Sequence, residues 1–184
     1  MMTLTQGLQG ALLLAGGRAD GIEHVAWDRE GAARSFWALA LCLPAFLFLR
    51  LLDWAWTGMP THPGHATALQ LLAYVTGWLG FAVLSRPMAA ALGREERWPL
   101  FIAAWNWCNV VQYLLLVAAA IPRLLGAPEW LDETVGLVAV FWAIWLEWYA
   151  TRLALDLSRL PAAAMVMVDI LLGIGLSAVV ASLT

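Results

Sequence analysis

Apolar residues in this 184-residue chain gather into five long runs, at about residues 36–54, 66–85, 99–121, 134–158 and 160–183. Each is close to the ~20 residues with which a helix crosses ~30 Å of hydrocarbon at ~1.5 Å per residue. Helix breakers punctuate the intervals. Pro60, Pro63 and Gly64 follow the first run, and Arg86, Pro87 and Gly93 bracket a short Met88–Leu92 stretch after the second. Pro122, Gly126 and Pro128 separate the third from the fourth, and Pro161 opens the fifth, where a helix has no use for the missing N–H. The pattern predicts an all-α fold, a polytopic membrane helical bundle with five transmembrane helices.

A weaker periodicity precedes the first run. Leu4, Leu8, Leu12 and Ala15 recur at helical spacing, and Thr3 and Gln6 are placed as a capping box. These residues predict a short amphipathic N-terminal surface helix. Its polar face has no basic residue, and Trp27 lies among Asp20, Glu23, Asp28, Arg29 and Glu30. Two placements stay open, at the lipid headgroups or packed as a cap on the bundle. The expected organisation is therefore a cytoplasmic or interfacial segment, 1–35, followed by a five-helix membrane domain, 36–184.

Composition supports the membrane class. The chain is 62% hydrophobic and 12% charged, with a mean hydropathy of +0.76, whereas soluble domains carry about 25% charged residues. The lipid bilayer is the first expected partner, and a membrane protein or a second copy of the chain the next. A formal net charge of −3 without a basic stripe argues against nucleic acid. Cys42 and Cys108 lie deep in apolar runs, far from CxxC spacing, and are expected to be free thiols. The short Ala11–Leu14 run lacks a basic flank, so no signal peptide is expected.

The arginines set an expected orientation. Arg18, Arg29 and Arg34 precede the first run, Arg86, Arg94 and Arg97 lie between the second and third, and Arg152 and Arg159 flank the junction of the fourth and fifth. Only Arg50 and Arg123 fall on the other side, with Glu129, Asp132 and Glu133. The positive-inside rule then makes the N-terminus cytoplasmic and the C-terminus periplasmic.

Polar residues inside the runs are the candidate chemistry. Asn106, Asn109 and Tyr113 share a stripe of the third run with Gln112 at its edge, and Asn109 lies near its middle. Glu147 and Asp169 fall at comparable depth in the fourth and fifth runs. A carboxylate at a helix centre costs about 2.5–3.5 kcal/mol on insertion scales, so all six side chains are expected to face one buried polar midplane cluster. Asp169, Gly173 and Ser177 form a row suited to close helix approach, and Gln70, Tyr74 and Gly77 form another inward stripe. Pro44 removes a helical hydrogen bond and frees the Ala40 carbonyl.

Two readings of the cluster stay open. It either pins helices together or holds a proton, a cation or a small polar solute. Of the twelve tryptophans, Trp54, Trp56, Trp98 and Trp130 fall near span ends, whereas Trp105, Trp107, Trp142, Trp145 and Trp148 lie deeper, as packing or as a pocket wall. His62 and His65 lack the company of a carboxylate or thiol that a metal site would need. No phosphate-binding loop, dinucleotide fingerprint, HExxH or GxSxG is present, so neither enzyme activity, nor a cofactor, nor a metal is expected.

The five-span arrangement with this orientation resembles the Yip (Ypt/Rab-interacting protein) type of membrane domain. The stretch Gly31-Ala32-Ala33-Arg34-Ser35-Phe36-Trp37, the pair Asn106-Trp107 and the block from Trp145 to Asp169 are also similar to small membrane proteins of α-proteobacteria. The resemblance implies a non-enzymatic protein of a bacterial inner membrane that organises partners or lipids. The Asp-Leu-Tyr-Gly-Pro motif of many eukaryotic Yip proteins is absent, so Rab binding and site residues do not carry over.

Overall fold

A computed structural model describes residues 4–184. Helix α1 (Leu4–Ala15) turns at Gly16–Gly17 into a short 3-10 helix, Ala19–His24. Helix α2 (Arg29–Ser35), capped by the Asp28 carboxylate accepting from the Gly31 N–H, runs through a kink at Phe36 into α3 (Trp37–Thr57). Then follow α4 (Pro63–Ala91), α5 (Trp98–Ala119), the short α6 (Ile121–Leu124), α7 (Glu129–Leu155) and α8 (Arg159–Leu183). Among the described residues, five stretches are long and apolar enough to cross a membrane: Arg29–Thr57, Pro63–Ala91, Glu95–Leu124, Glu129–Leu155 and Arg159–Leu183.

Four of these helices outrun the apolar runs, because polar ends continue a helix wherever nothing breaks it. The helix of the fourth run stops at Leu155, short of the expected residue 158, because Asp156 turns the chain with a positive φ. The first begins at Arg29, ahead of the apolar run, and the second continues through Pro87 to Ala91. Pro44 and Pro87 both lie inside helices, where each removes one backbone bond. Near Pro44, the Tyr74 hydroxyl donates to the neighbouring Leu39 carbonyl at 2.7 Å.

Helix α5 is the axis of the bundle. Its residues from Phe101 to Cys108 are buried without interruption, and α3, α7 and α1 pack directly on it. Helix α4 packs its backbone mainly on α8, where Gly77 faces Leu176 and Gly80 faces Leu172. Aromatic rings fill the space between α4 and its neighbours α3 and α5. Phe46 stacks on Tyr74 at 4.5 Å, Tyr74 and Trp78 are 5.5 Å apart, Trp78 and Trp105 5.4 Å, and Phe81 and Trp105 4.9 Å. Large rings therefore hold the backbones apart along this side of α5.

The N-terminal segment is packed against the bundle. Ala11 and Leu14 are fully buried, and Gly7 lies so close to the Trp107 indole that a methyl group there would run into it. Gly10 and Gly21 cross closely, a Cβ on Gly10 falling 2.7 Å from the Gly21 carbonyl oxygen. The Tyr149 hydroxyl donates to the Gly17 carbonyl at 2.9 Å and ties this turn to α7. Thr5, Gln6, Gln9 and Leu12 form the outward face. Thr3, the other half of the expected capping box, lies outside the described residues.

One end of the bundle is rich in arginine. There Arg86 pairs with Glu95 at 3.1 Å and Arg94 with Asp156 at 3.3 Å. Arg97 donates through Nε to the Ala154 carbonyl at 2.7 Å, satisfying an acceptor in the last turn of α7, where a cation also complements the helix dipole. Asp156 takes φ 51° as α7 ends, and the chain turns directly into α8. At the opposite end Arg123 lies 3.9 Å over the Trp56 ring and 3.8 Å from Asp132.

Candidate functional site

The sequence Trp105-Asn106-Trp107-Cys108-Asn109-Val110-Val111-Gln112-Tyr113 supplies most of the polar groups inside the bundle. Successive residues of a helix turn by about 100°, so small differences in angle select different neighbours. Asn106 faces α4 and the kink between α2 and α3. Its Oδ1 accepts from Trp78 Nε1 at 2.6 Å, its Nδ2 donates to Ser35 Oγ at 2.7 Å, and that hydroxyl donates onward to the Ala32 carbonyl at 2.6 Å. This fully buried chain joins α2, α4 and α5 and leaves Asn106 no group turned toward a ligand. Gln112 turns the other way, its Nε2 donating to the Ala143 carbonyl of α7 at 2.7 Å. Both amides act as interhelical ties, each bond contributing about 0.6–2 kcal/mol within a membrane.

The carboxyl groups meet elsewhere on α5. Trp105 Nε1 donates to Asp169 Oδ2 at 3.1 Å, and Glu147 lies beside both Asp169 and Trp105. Glu147 is 8% exposed, and its Oε1 has no hydrogen-bond partner among the described residues. Trp105 stands about 10 Å into α5 and Asp169 about 15 Å into α8, so the pair sits a few ångströms to the arginine-rich side of the helix midpoints. The expected single cluster of six side chains is thus three arrangements. Asn106 ties α2, α4 and α5, Gln112 ties α5 to α7, and Asp169 shares a cavity with Asn109 and Tyr113 while Glu147 lies behind it.

That cavity, of about 340 Å³, opens between α3, α4, α5 and α8. Tyr74, Trp78, Trp105 and Tyr113 form an aromatic wall, and Asp169, Asn109, Gln70 and Arg50 supply polar groups. Asn109 is held by its own helix, its Nδ2 donating to the Trp105 carbonyl at 3.0 Å, which leaves its Oδ1 available. Arg50 Nε is buried and without a partner among the described residues, and Asp53 approaches the guanidinium only to 3.9 Å. The row Asp169, Gly173 and Ser177 borders this cavity, and a Cβ on Gly173 would meet nothing within 4 Å. Small residues here make space instead of a close helix crossing. The close crossing is made from α4, through Gly77 and Gly80.

Sequence reasoning did not find Ser35 or Arg50, and it offered Trp105 only as packing or a pocket wall. Trp105 does line the cavity, but its N–H is also the direct partner of Asp169. Ser35 falls just ahead of the first apolar run, and only the three-dimensional fold brings it to Asn106. Arg50 stands out among the apolar residues of its run, which was the available signal.

The arrangement offers an aromatic-walled space with an acid, amide and phenol at one level and a guanidinium at another. Among the described residues no group of three or more His, Cys, Asp or Glu side chains is placed to hold a metal ion. Curated proteins show no match to this chain, and neither do solved structures. The Yip1 domain family, however, matches residues 23–181, from the 3-10 helix to the last turns of α8. That span takes in all five helices of membrane-crossing length and every side chain around the cavity, and the chain belongs to the Yip1 domain family.

Proposed function

We propose that this chain is a non-enzymatic integral protein of a bacterial inner membrane that binds a lipid or membrane partner. The N-terminus lies in the cytoplasm and the C-terminus in the periplasm. The supporting observation is the division of labour along α5. Asn106 and Gln112 are consumed in ties between helices, whereas Asp169, Asn109, Tyr113 and Arg50 border a cavity. Ties of this kind suit a rigid scaffold, and an aromatic-walled opening between helices suits a hydrophobic or amphiphilic occupant. The arginine bias supports the orientation.

A second reading has one observation in its favour. Glu147 Oε1 is buried next to Asp169 without a hydrogen-bond partner among the described residues, as a proton- or cation-carrying pair would be. Glu147→Gln and Asp169→Asn separate the readings, because they keep the shape and remove ionisation. For a scaffold, both variants fold and recover the same lipids and proteins as the wild type from native membranes. A pH-driven ion flux in wild-type proteoliposomes that either variant abolishes would establish transport instead. A reporter fusion placing the C-terminus in the cytoplasm would overturn the orientation.

A further inference from the structure

A second cavity, of about 490 Å³, lies at the arginine-rich end, between the start of α2 and the turn from α4 to α5. Its wall is apolar, with Phe36 and Trp98 facing it, and Arg29, Arg86, Glu95 and Glu96 stand at its rim. Arg86 and Glu95 neutralise each other at 3.1 Å. Arg29 and Glu96, by contrast, have no ion-pair partner among the described residues. One unpaired cation and one unpaired anion therefore flank a greasy cleft at the end of the membrane-length helices. Trp98 Nε1 is already bonded to Ser85 Oγ at 3.0 Å, which fixes the indole as a wall.

We infer that this cleft is a binding site for a phospholipid with a zwitterionic, primary-amine headgroup, phosphatidylethanolamine being the simplest. A guanidinium presents paired N–H donors that match phosphate oxygens, so Arg29 takes the phosphate, with Arg86 beside it. A primary ammonium carries three donors and is the natural partner of the Glu96 carboxylate. The glycerol and the first acyl carbons lie against Phe36 and Trp98 at the depth where headgroup gives way to hydrocarbon. An anionic lipid such as phosphatidylglycerol satisfies Arg29 but sets a hydroxylated headgroup against Glu96 without a compensating cation. The site requires only that this end of the helices reaches the headgroups. It is independent of which side of the membrane that is, and of the cavity at Asp169.

Native mass spectrometry of the purified full chain, titrated with an equimolar mixture of phosphatidylethanolamine and phosphatidylglycerol, tests the assignment. Wild type should retain the ethanolamine lipid about tenfold over the glycerol lipid, equivalent to about 1.4 kcal/mol. Glu96→Gln should bring the two lipids to parity while glycerol-lipid adducts persist. Arg29→Gln should weaken both lipids about fivefold by removing the phosphate contact. Both side chains are exposed, and the wild-type ratio needs no variant at all. Parity in the wild type, or an unchanged preference in Glu96→Gln, overturns the proposal. Soluble phosphoethanolamine in detergent should produce no stable adduct. Saturable binding of that probe would show that the cleft serves a free phosphoester and would likewise overturn the lipid assignment.

Discussion

Asn106 and Asn109 sit one helical turn apart on α5, and the bundle uses them in opposite ways. Asn106 is fully buried with both ends of its amide engaged by other helices, whereas Asn109 bonds only to its own helix and borders the cavity. The same contrast separates two glycines. Gly7 lies hard against the Trp107 indole, and Gly173 has open space where its side chain would be. Residue type alone therefore does not tell whether a polar or small residue in a span closes a contact or keeps one open. The neighbour decides.

The largest expected effect tests the first half of that contrast. Asn106→Ala leaves the Trp78 N–H and the Ser35 hydroxyl short of partners and should cost about 2–4 kcal/mol of unfolding free energy. Asn109→Ala should cost less than about 0.5 kcal/mol, because it loses only a bond within its own helix. Equal losses in reversible unfolding from mixed micelles would break the comparison. Next comes Gly7→Val, which must push α1 or the Trp107 ring aside and should destabilise by about 1–3 kcal/mol.

Trp105→Phe removes the indole donor and part of a buried ring, should cost about 1–3 kcal/mol and should release Asp169 Oδ2, measured by the same unfolding experiment. Gly173→Ala should have the opposite sign. It replaces a flexible helical glycine without a clash and should stabilise by about 0.5–1 kcal/mol. A loss there comparable to that of Gly7→Val would mean that the row against the cavity is closed in the native state.

The smallest effect lies outside the spans. The Arg18 guanidinium, 2.6 Å away, holds the exposed Asp20 carboxyl below its usual range. A depressed carboxyl contributes stability above its unfolded value and loses it as pH falls through the folded value. Any loss is thus confined to pH below the ordinary carboxylate range. Side-chain titration by NMR should show Asp20 ionising below a reference Asp, and Asp20→Asn should lower neutral-pH stability only slightly, because the pair is exposed, and remove that low-pH loss.

Much of the architecture is legible in hydropathy and punctuation. The five helices of membrane-crossing length follow the five apolar runs, only the fourth stopping at Leu155 before its run ends, because a lipid-facing backbone must bond within its own helix over a fixed thickness. The inward placement of Glu147 and Asp169 follows from their cost in hydrocarbon, and the two do meet. Their donor did not follow. Trp105 carries a polar N–H on a mostly apolar ring, so its role depends on which edge of the ring a neighbour reaches. The stripe of Asn106, Asn109 and Tyr113 was read as one face, yet a helix packed on all sides has several neighbours within a narrow arc.

Helix number, helix type and the set of polar side chains that must avoid lipid are local properties of the chain, set by residue hydropathy and by the geometry of a single helix. Which of those side chains become ties and which border a cavity is a property of the assembly. It depends on Gly7 of α1 fitting against Trp107, on Ser35 arriving beside Asn106 and on aromatic rings holding α4 away from α5. Those partners are far apart in the chain, and helix packing is resolved at the level of single side-chain shapes that no periodicity encodes.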